Sequence, residues 1–434
     1  MNFDFRTVFS EVFQGKGGFD VVIGNPPYGV SFTNEDKALF KTLFSDVHIR
    51  TPDSFNYFIS KSLRILRKHS VLTFIVPSVL FFQNEYEKTR RLMLSKSLIS
   101  AINLGDGIFA SATVPSCVFV IANAPRTNYS FEYYDLRNHS GEIESWKKQL
   151  TNCDSSKTLD TPGAVFGVLS DEHAIIKKVA SKSYTLDELA FEVAAGISTG
   201  GDKVFRISKE FARANNFEKQ ILHSVLVGGE IDKWVINDTS HVLIYTQKNV
   251  EIEKHKNIYK YLKPFQRQLS QKRETRNGTL PWWCLHWSRY PELFADRKII
   301  MRQTSDSIRA VIDDDNYFVL NSILVLKLNA NVPISYEATL AVLNSTLNNF
   351  IYHKLTQEEG RTFAEVKPKN VRKLFIPKLS DKELVSLEKL VDRVLAAKRV
   401  NPQADTSRLE EEIDQLVYEL YGLTEEEVKV VEGK

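Results

Sequence analysis

Apolar positions along the chain fall into two textures. Up to about residue 180, continuous apolar runs occur at 19–24 (FDVVIG), 71–76 (VLTFIV), 98–104 (LISAINL) and 116–122 (SCVFVIA). Runs that do not alternate suit strands covered on both faces. Between the first two, the apolar residues return at helical spacing. From about Asp53 to Arg67, Phe55, Phe58, Ile59, Ser62, Leu63 and Leu66 share one face, while Lys61, Arg64 and Lys68 point away. Asp53 stands where an N-cap belongs. A second helix over about 84–97 leads into the third run. Strand, helix, strand, helix, strand predicts a doubly wound α/β sheet. The polar stretch 123–170 shows no clear period and takes no assignment.

From about 184 the segments shorten and Gly, Asn and Asp become frequent, as in GISTGGDKVFRI (196–207), HVLIY (241–245), RKIIMRQ (297–303) and AVIDDDNYFVLNSILVLKL (310–328). This texture predicts an α+β domain with an irregular sheet. A helix follows at about 336–355, then KPKNVRKLFIPKL (367–379), then helices at about 381–399 and 405–421. In the last of these Leu409, Ile413, Leu416, Val417 and Leu420 form the apolar stripe. The expected domains are therefore 1–180, 181–380 and a helical segment 381–434.

Composition changes this picture little. The 434 residues are 43% hydrophobic and 26% charged, as in ordinary globular proteins. No apolar stretch approaches the roughly 20 residues that span a bilayer, and no secretory pattern opens the chain, so no membrane partner is expected. Cys117, Cys153 and Cys284 are widely spaced and odd in number, which reads as reduced structural thiols in a cytosol and not as metal ligands. Charge is more telling, because it is uneven. Residues 251–310 carry 13 Lys and Arg against 6 Asp and Glu, while 401–434 carry 3 against 10. Tyr259, Tyr261, Phe265, Trp282, Trp283, Trp287 and Tyr290 run through the basic stretch. Basic and aromatic residues together suit a nucleic-acid surface, although a solvated face over an aromatic core gives the same composition.

The sharpest motif is Asn25-Pro26-Pro27-Tyr28, directly after the first apolar run. A chance match in a chain of this length has odds of roughly one in a thousand. Open α/β sheets bind ligands at the carboxyl ends of their strands, and two consecutive prolines fix the loop there. The Asn25 side-chain oxygen and the Pro26 carbonyl are two acceptors. Aimed at the two N–H groups of an exocyclic amine such as adenine N6, they favour a pyramidal nitrogen with its lone pair free. Tyr28 offers a face on which an extruded base can stack. The plainer alternative is a Pro-Pro turn carrying a surface tyrosine.

FDVVIGNPPYG resembles the catalytic loop of the amino-group DNA methyltransferases that use S-adenosylmethionine. The resemblance continues. PDSFNYFISKSLRILRKHSVLTFIVPSVLF (52–81) is similar to the next two segments of the Taq-type and Eco57I-type N6-adenine enzymes of type II restriction-modification systems. GDGIFASATVPSCVFVI (105–121) is similar to the hairpin whose phenylalanine packs beside the flipped base. This implies that Phe109 is a second aromatic wall, the alternative being a core phenylalanine. Residues from about 184, with PWWCLHW, RKIIMRQ, LAVLNSTL (340–347) and KPKNVRKLFIPKL in order and the tail LEEEIDQLVYELYGLTEEE (409–427), resemble the family's target-recognition domain. The fold implied is a partial Rossmann-like methyltransferase sheet, an α+β target-recognition domain and C-terminal helices. Duplex DNA is the implied partner, and bacterial cytoplasm the implied location. Arg267, Lys272, Arg273, Arg276, Arg302, Arg309, Lys367 and Lys369 are the candidates for phosphate or base contacts.

Two parts of the family pattern are missing. A glycine-rich turn and an acidic residue for the cofactor lie ahead of the NPPY loop in that family, yet only 18 residues precede Phe19, too few for a βαβ unit. Of the S-adenosylmethionine contacts that the resemblance implies, Pro27 alone has a counterpart here. A permuted cofactor loop at GISTGGD (196–202) lacks the usual form, and LGDGIF (104–109) belongs to the hairpin. No nuclease motif stands out, since Glu365-Val-Lys367 is a pattern that occurs by chance. The expectation is a fragment of a longer or split enzyme, inactive by itself, whose other half is supplied in cis or trans. A non-catalytic DNA-recognition subunit with a relic loop, or an RNA or protein-glutamine methyltransferase, are the competing readings.

Overall fold

The computed structural model describes residues 4–51, 53–105, 114–137, 145–146, 150–161, 163–167, 170–237, 240–356 and 364–434. The chain divides into two compact units. One is residues 1–177 with 354–356, and the other is 178–353 with 357–434.

The first unit is built on a six-stranded mixed sheet. Its strands are β1 (Phe19–Gly24), β2 (Leu66–Pro77), β3 (Ser97–Gly105), β4 (Ser116–Ala122), β5 (Ser130–Asp135) and β6 (Leu150–Asp154), in the spatial order β1-β2-β4-β3-β5-β6. β1 runs parallel to β2 and β3 parallel to β5, while β4 lies antiparallel between β2 and β3. Helix α1 (Ser10–Lys16) precedes β1, α2 (Asn34–Leu43) and α3 (Ser54–Ile65) join β1 to β2, and α4 (Glu87–Leu94) leads to β3. The order strand, helix, strand, helix, strand stands as expected.

Two expectations in this unit are corrected, and an unassigned stretch gains structure. β1 is an edge strand among the described residues, with Val21 56% and Ile23 78% exposed, so its continuous apolar run is not covered on both faces. On α3, Phe58 is 45% exposed, and the buried face turns instead through Phe55, Tyr57, Ile59 and Leu63. The unassigned stretch contains β5 and β6, in which Phe131, Tyr133 and Cys153 point inward while their neighbours stay polar. That alternation marks strands near a sheet edge, with one face covered. Arg90 on α4 is wholly buried. Its guanidinium donates to the carbonyls of Leu80, Gln83, Gly163 and Ala164, and burial pushes its pKa down to about 9.

The second unit holds two four-stranded sheets. One is antiparallel and orders β12 (Ala310–Asp313), β11 (Lys298–Arg302), β14 (Ile323–Leu328) and β7 (Ala190–Ala195). The other orders β13 (Phe318–Val319), β9 (Leu222–Leu226), β10 (His241–Ile244) and β8 (Arg206–Ser208). Phe205, Val225, Leu243, Ile300, Val319 and Val325 are among the residues of a common core. At the end of β11, Lys298 forms an ion pair of 2.6 Å with Asp313 of β12, both with side chains at 0% exposure. The helix expected over 336–355 is two, α5 (Tyr336–Asn344) and α6 (Thr346–Thr356), because Ser345 between them is extended (ψ 154°). Helix α7 (Asp381–Val400) packs on α5 and on α8 (Ser407–Tyr421), and a third C-terminal helix, α9 (Glu425–Glu432), extends the expected pair. On α8 the buried face is Ile413, Val417, Tyr418 and Tyr421, with Leu409, Leu416 and Leu420 only half-buried.

Candidate functional site

The NPPY residues leave the carboxyl end of β1 in the first unit. Asn25 is exposed, Pro26 buried, Pro27 exposed and Tyr28 half-buried. Parallel pairing of Val21–Gly24 with Val71–Phe74 of β2 fixes the point at which the chain leaves the sheet. Beyond it, Gly29 takes φ +73°, a left-handed conformation that a side chain resists and that turns the loop. The loop then meets the start of α3. The Ser54 hydroxyl donates to the Pro27 carbonyl, and the Gly29 N–H donates to Asp53 Oδ1 at 3.2 Å.

Around this loop the packing is aromatic. Phe40 and Phe44, on and just after α2, lie with ring centroids 4.8 and 5.2 Å from Tyr57 of α3, and Phe32 lies 5.1 Å from Phe40. His48 Nδ1 and the Tyr57 hydroxyl are 2.7 Å apart. Burial pushes Tyr57 up to about 12 and lowers His48, so the pair is neutral near pH 7. Tyr28 stays out of this cluster and makes no ring contact among the described residues. The Asn25 side chain and the Pro26 carbonyl likewise have no hydrogen-bond partner among the described residues. The loop therefore offers two free acceptors and one partly open ring. Phe109 lies outside the described residues.

In the second unit the cationic candidates separate by environment. Arg267, Arg273 and Arg276 are exposed, on short helices over 266–269 and 273–276, with no ion pair or side-chain hydrogen bond among the described residues. Lys272 between them is buried, with its ammonium donating to the carbonyls of Trp282 (3.0 Å) and Cys284, and burial lowers it to about 8. Arg309 pairs with Asp232 at 3.1 Å, and Arg302 Nε donates to the Thr304 carbonyl at 3.0 Å. Lys367 and Lys369 are half-buried at the short helix Pro368–Val371.

GISTGGD, the permuted-loop candidate, is packed by its own unit. Added as a Cβ, a methyl group on Gly196 would sit 2.3 Å from the Val319 carbonyl oxygen, and one on Gly200 2.7 Å from Lys272 Cδ. At these two glycines the space a side chain would need is already filled by the Val319 carbonyl and the Lys272 side chain. LGDGIF lies partly outside the described residues. Among the described residues the set around Pro27 does not by itself fit S-adenosylmethionine, since no glycine-rich turn stands beside it. No helix among them is long and apolar enough to cross a membrane, and no three metal-ligating side chains cluster.

Two family models match separate parts of the chain. Residues 1–109 match the family model of the Eco57I restriction-modification methylase, and residues 223–376 match that of the TaqI-like C-terminal specificity domain. The Methanocaldococcus jannaschii type II restriction enzyme and methyltransferase RM.MjaORFECS2P is 26% identical over 424 residues, covering 93% of this chain and 31% of the relative. The Escherichia coli type II restriction enzyme and methyltransferase RM.Eco57I is 27% identical over 216 residues, covering 46% of this chain and 20% of its own length. The chain thus spans about a third of the first relative and a fifth of the second. The type IIL restriction-modification enzyme MmeI, solved in complex with DNA, shares the fold with a TM-score of 0.67 at 14% identity, over 96% of this chain and 56% of that one.

Proposed function

We infer that this chain, which carries an Eco57I-type methylase segment and a TaqI-like specificity domain, serves site-specific methylation of adenine N6 in duplex DNA within a type II restriction-modification enzyme. Residues 1–180 act as the substrate-handling part of the catalytic domain, 181–380 as the target-recognition domain, and 381–434 as its helical support. The observation that carries the reading is the state of the loop. Asn25 Oδ1 and the Pro26 carbonyl are both unspent, at the carboxyl end of a parallel strand, beside the partly open ring of Tyr28.

In this reading the adenine leaves the duplex and stacks on Tyr28. Its N6 amine donates to Asn25 Oδ1 and the Pro26 carbonyl, which localises the nitrogen lone pair for attack. No side chain has to act as a strong base before attack, because the amine is neutral: the nitrogen–methyl bond would form as the donor's sulfur–methyl bond breaks, and the proton of the alkylated amine would then pass to solvent water. The methyl donor is S-adenosylmethionine, held by a cofactor-binding half supplied in cis or trans. β1 is an edge strand among the described residues, which supports a further strand pairing there, and the exposed Val21 and Ile23 support added cover on one face of the sheet. The enzyme works in the cytoplasm of a bacterium. The exposed arginines of the second unit favour a nucleic acid over a protein glutamine, and the match of residues 223–376 to a TaqI-like specificity domain favours duplex DNA over RNA.

The test replaces Asn25 by Ala in the complete enzyme and follows transfer of labelled methyl to duplex DNA. Loss of one preorganised hydrogen-bonding group of this kind costs about 10²–10³ in rate, with duplex affinity unchanged. Methylation at the unsubstituted rate would mean that the loop is a relic and the chain a recognition subunit only.

A further inference from the structure

Asp53 occupies the N-cap position of α3 with the extended backbone of a cap (φ −108°, ψ 143°), yet its side chain makes no capping hydrogen bond. Its carboxylate goes instead to the Gly29 N–H, 24 residues earlier in the chain. The next residue, Ser54, is 5% exposed, and its hydroxyl also leaves its own helix, for the Pro27 carbonyl. Two adjacent side chains at one helix start thus hold both sides of Tyr28.

We propose that Asp53 and Ser54 are positioning residues for the reaction, a clamp that sets where the NPPY acceptors stand. The proposal rests on the methylation reading above. The prolines already fix φ at residues 26 and 27, so the soft points left in the loop are Tyr28 and Gly29. The Asp53 bond pins the second of these. The Ser54 bond occupies the Pro27 carbonyl and leaves the Pro26 carbonyl as the unspent backbone acceptor beside Asn25. The clamp itself is firmly mounted. One turn into α3, Asn56 is fully buried, donates to the Val47 carbonyl at 2.5 Å and accepts from the Thr89 hydroxyl. A misplacement of about 1 Å at a reacting group can cost about 10²-fold in rate, so a loop loosened here loses turnover before it loses binding.

The test has two arms. In the chain as it stands, amide hydrogen exchange at Gly29 is compared between the unsubstituted protein, Asp53→Ala, Ser54→Ala and the conservative pair Asp53→Asn and Ser54→Thr. Exchange is expected to rise at least fivefold in Asp53→Ala and to stay within twofold in Asp53→Asn, which keeps an oxygen acceptor. In the complete enzyme, Asp53→Ala/Ser54→Ala is expected to lower kcat for methyl transfer 10- to 100-fold, with KM for the duplex within threefold. Asp53→Asn and Ser54→Thr are expected to keep at least half of kcat. Unchanged Gly29 exchange in Asp53→Ala would overturn the clamp whatever the enzyme does. Raised exchange with unchanged kcat would overturn its role in positioning and leave the methylation reading intact. Absence of methyl transfer in the unsubstituted complete enzyme would overturn that reading, with Gly29 exchange still deciding whether the clamp exists.

Discussion

Three exposed arginines give the most quantitative handle on the second unit. Arg267, Arg273 and Arg276 carry no ion pair or side-chain hydrogen bond among the described residues, whereas Lys272 is spent on two carbonyls and Arg309 on Asp232. If each of the three meets a phosphate, each releases about 0.9 counterion on binding, so replacing all three by Gln makes the slope of log K against log salt less negative by about 2.7. Between about 50 and 200 mM salt this amounts to about 40-fold in affinity, lost by the unsubstituted chain and retained by the variant. The assay is fluorescence anisotropy of the chain with a short labelled duplex at four or five salt concentrations. The change in slope is expected to be the same on specific and unrelated duplexes, because phosphates carry no sequence. Arg309→Gln is the control and should leave the slope nearly unaltered, its guanidinium being held by Asp232. A triple variant whose slope differs by less than about 0.5 would refute the assignment and move the DNA surface elsewhere on the unit.

Other expected outcomes follow from the same structure. Tyr28→Ala in the complete enzyme should lower kcat/KM by the equivalent of one base stack, about 1–3 kcal/mol, while Tyr28→Phe keeps most of it, as methyl-transfer kinetics would read. Lys298→Met strands a fully buried Asp313 and should cost about 3–5 kcal/mol in denaturant unfolding, and Lys298→Met/Asp313→Asn, which removes the charge but keeps an acceptor for the Asp315 and Tyr317 N–H groups, should recover part of that; a single-variant cost under about 1 kcal/mol would contradict the burial of the pair. Lys272 titrates near 8 when folded and near 10.5 when unfolded, so in that window the unfolded chain holds a proton that the folded one has shed. Its burial penalty is therefore full below pH 8 and is relieved as pH rises to 10.5, by at most about 3 kcal/mol. The difference in stability between the unsubstituted chain and Lys272→Met should shift by that amount across the window, and a flat difference would refute it.

Much of the fold was legible because its strands are strongly apolar. SCVFVIA was placed at 116–122, where β4 lies, and the helix before β2 was placed within two residues at each end. What the sequence hid is exposure. FDVVIG has the composition of a covered central strand, but composition records the environment a segment is suited to, and not which neighbours this chain provides. Val21 and Ile23 show the difference. β5 and β6 escaped for the opposite reason. SFEYYD and LTNCD bury only alternate residues, and with Glu, Asp and Asn on the outer face their apolar signal is weak. The break at Ser345 escaped as well, since LAVLNSTLNNF keeps helical spacing through it, and only the extended backbone of Ser345 separates the two helices.

The site divides along the same line, between what a residue type announces and what a long-range contact decides. Asn25, Pro26, Pro27 and Tyr28 announce themselves, because few local purposes need that combination. Asp53 announced an N-cap, and residue type and backbone both agree with that role. Its carboxylate nevertheless bonds Gly29, and the reason is a balance no local window contains. A carboxylate gains about as much from one backbone N–H as from another, so the choice rests on which N–H would otherwise go unsatisfied. Donors at a helix start have water as an alternative partner when exposed. The Gly29 N–H sits in a turn held open by φ +73°, where no backbone carbonyl among the described residues accepts from it. Spending Asp53 there orders a loop that its own sequence leaves soft at one point, and the same exchange explains why Ser54, buried and adjacent, turns away from its helix too. A cap residue of the right type without its capping bond is thus a mark of work done elsewhere in the fold. Here that work falls on either side of Tyr28.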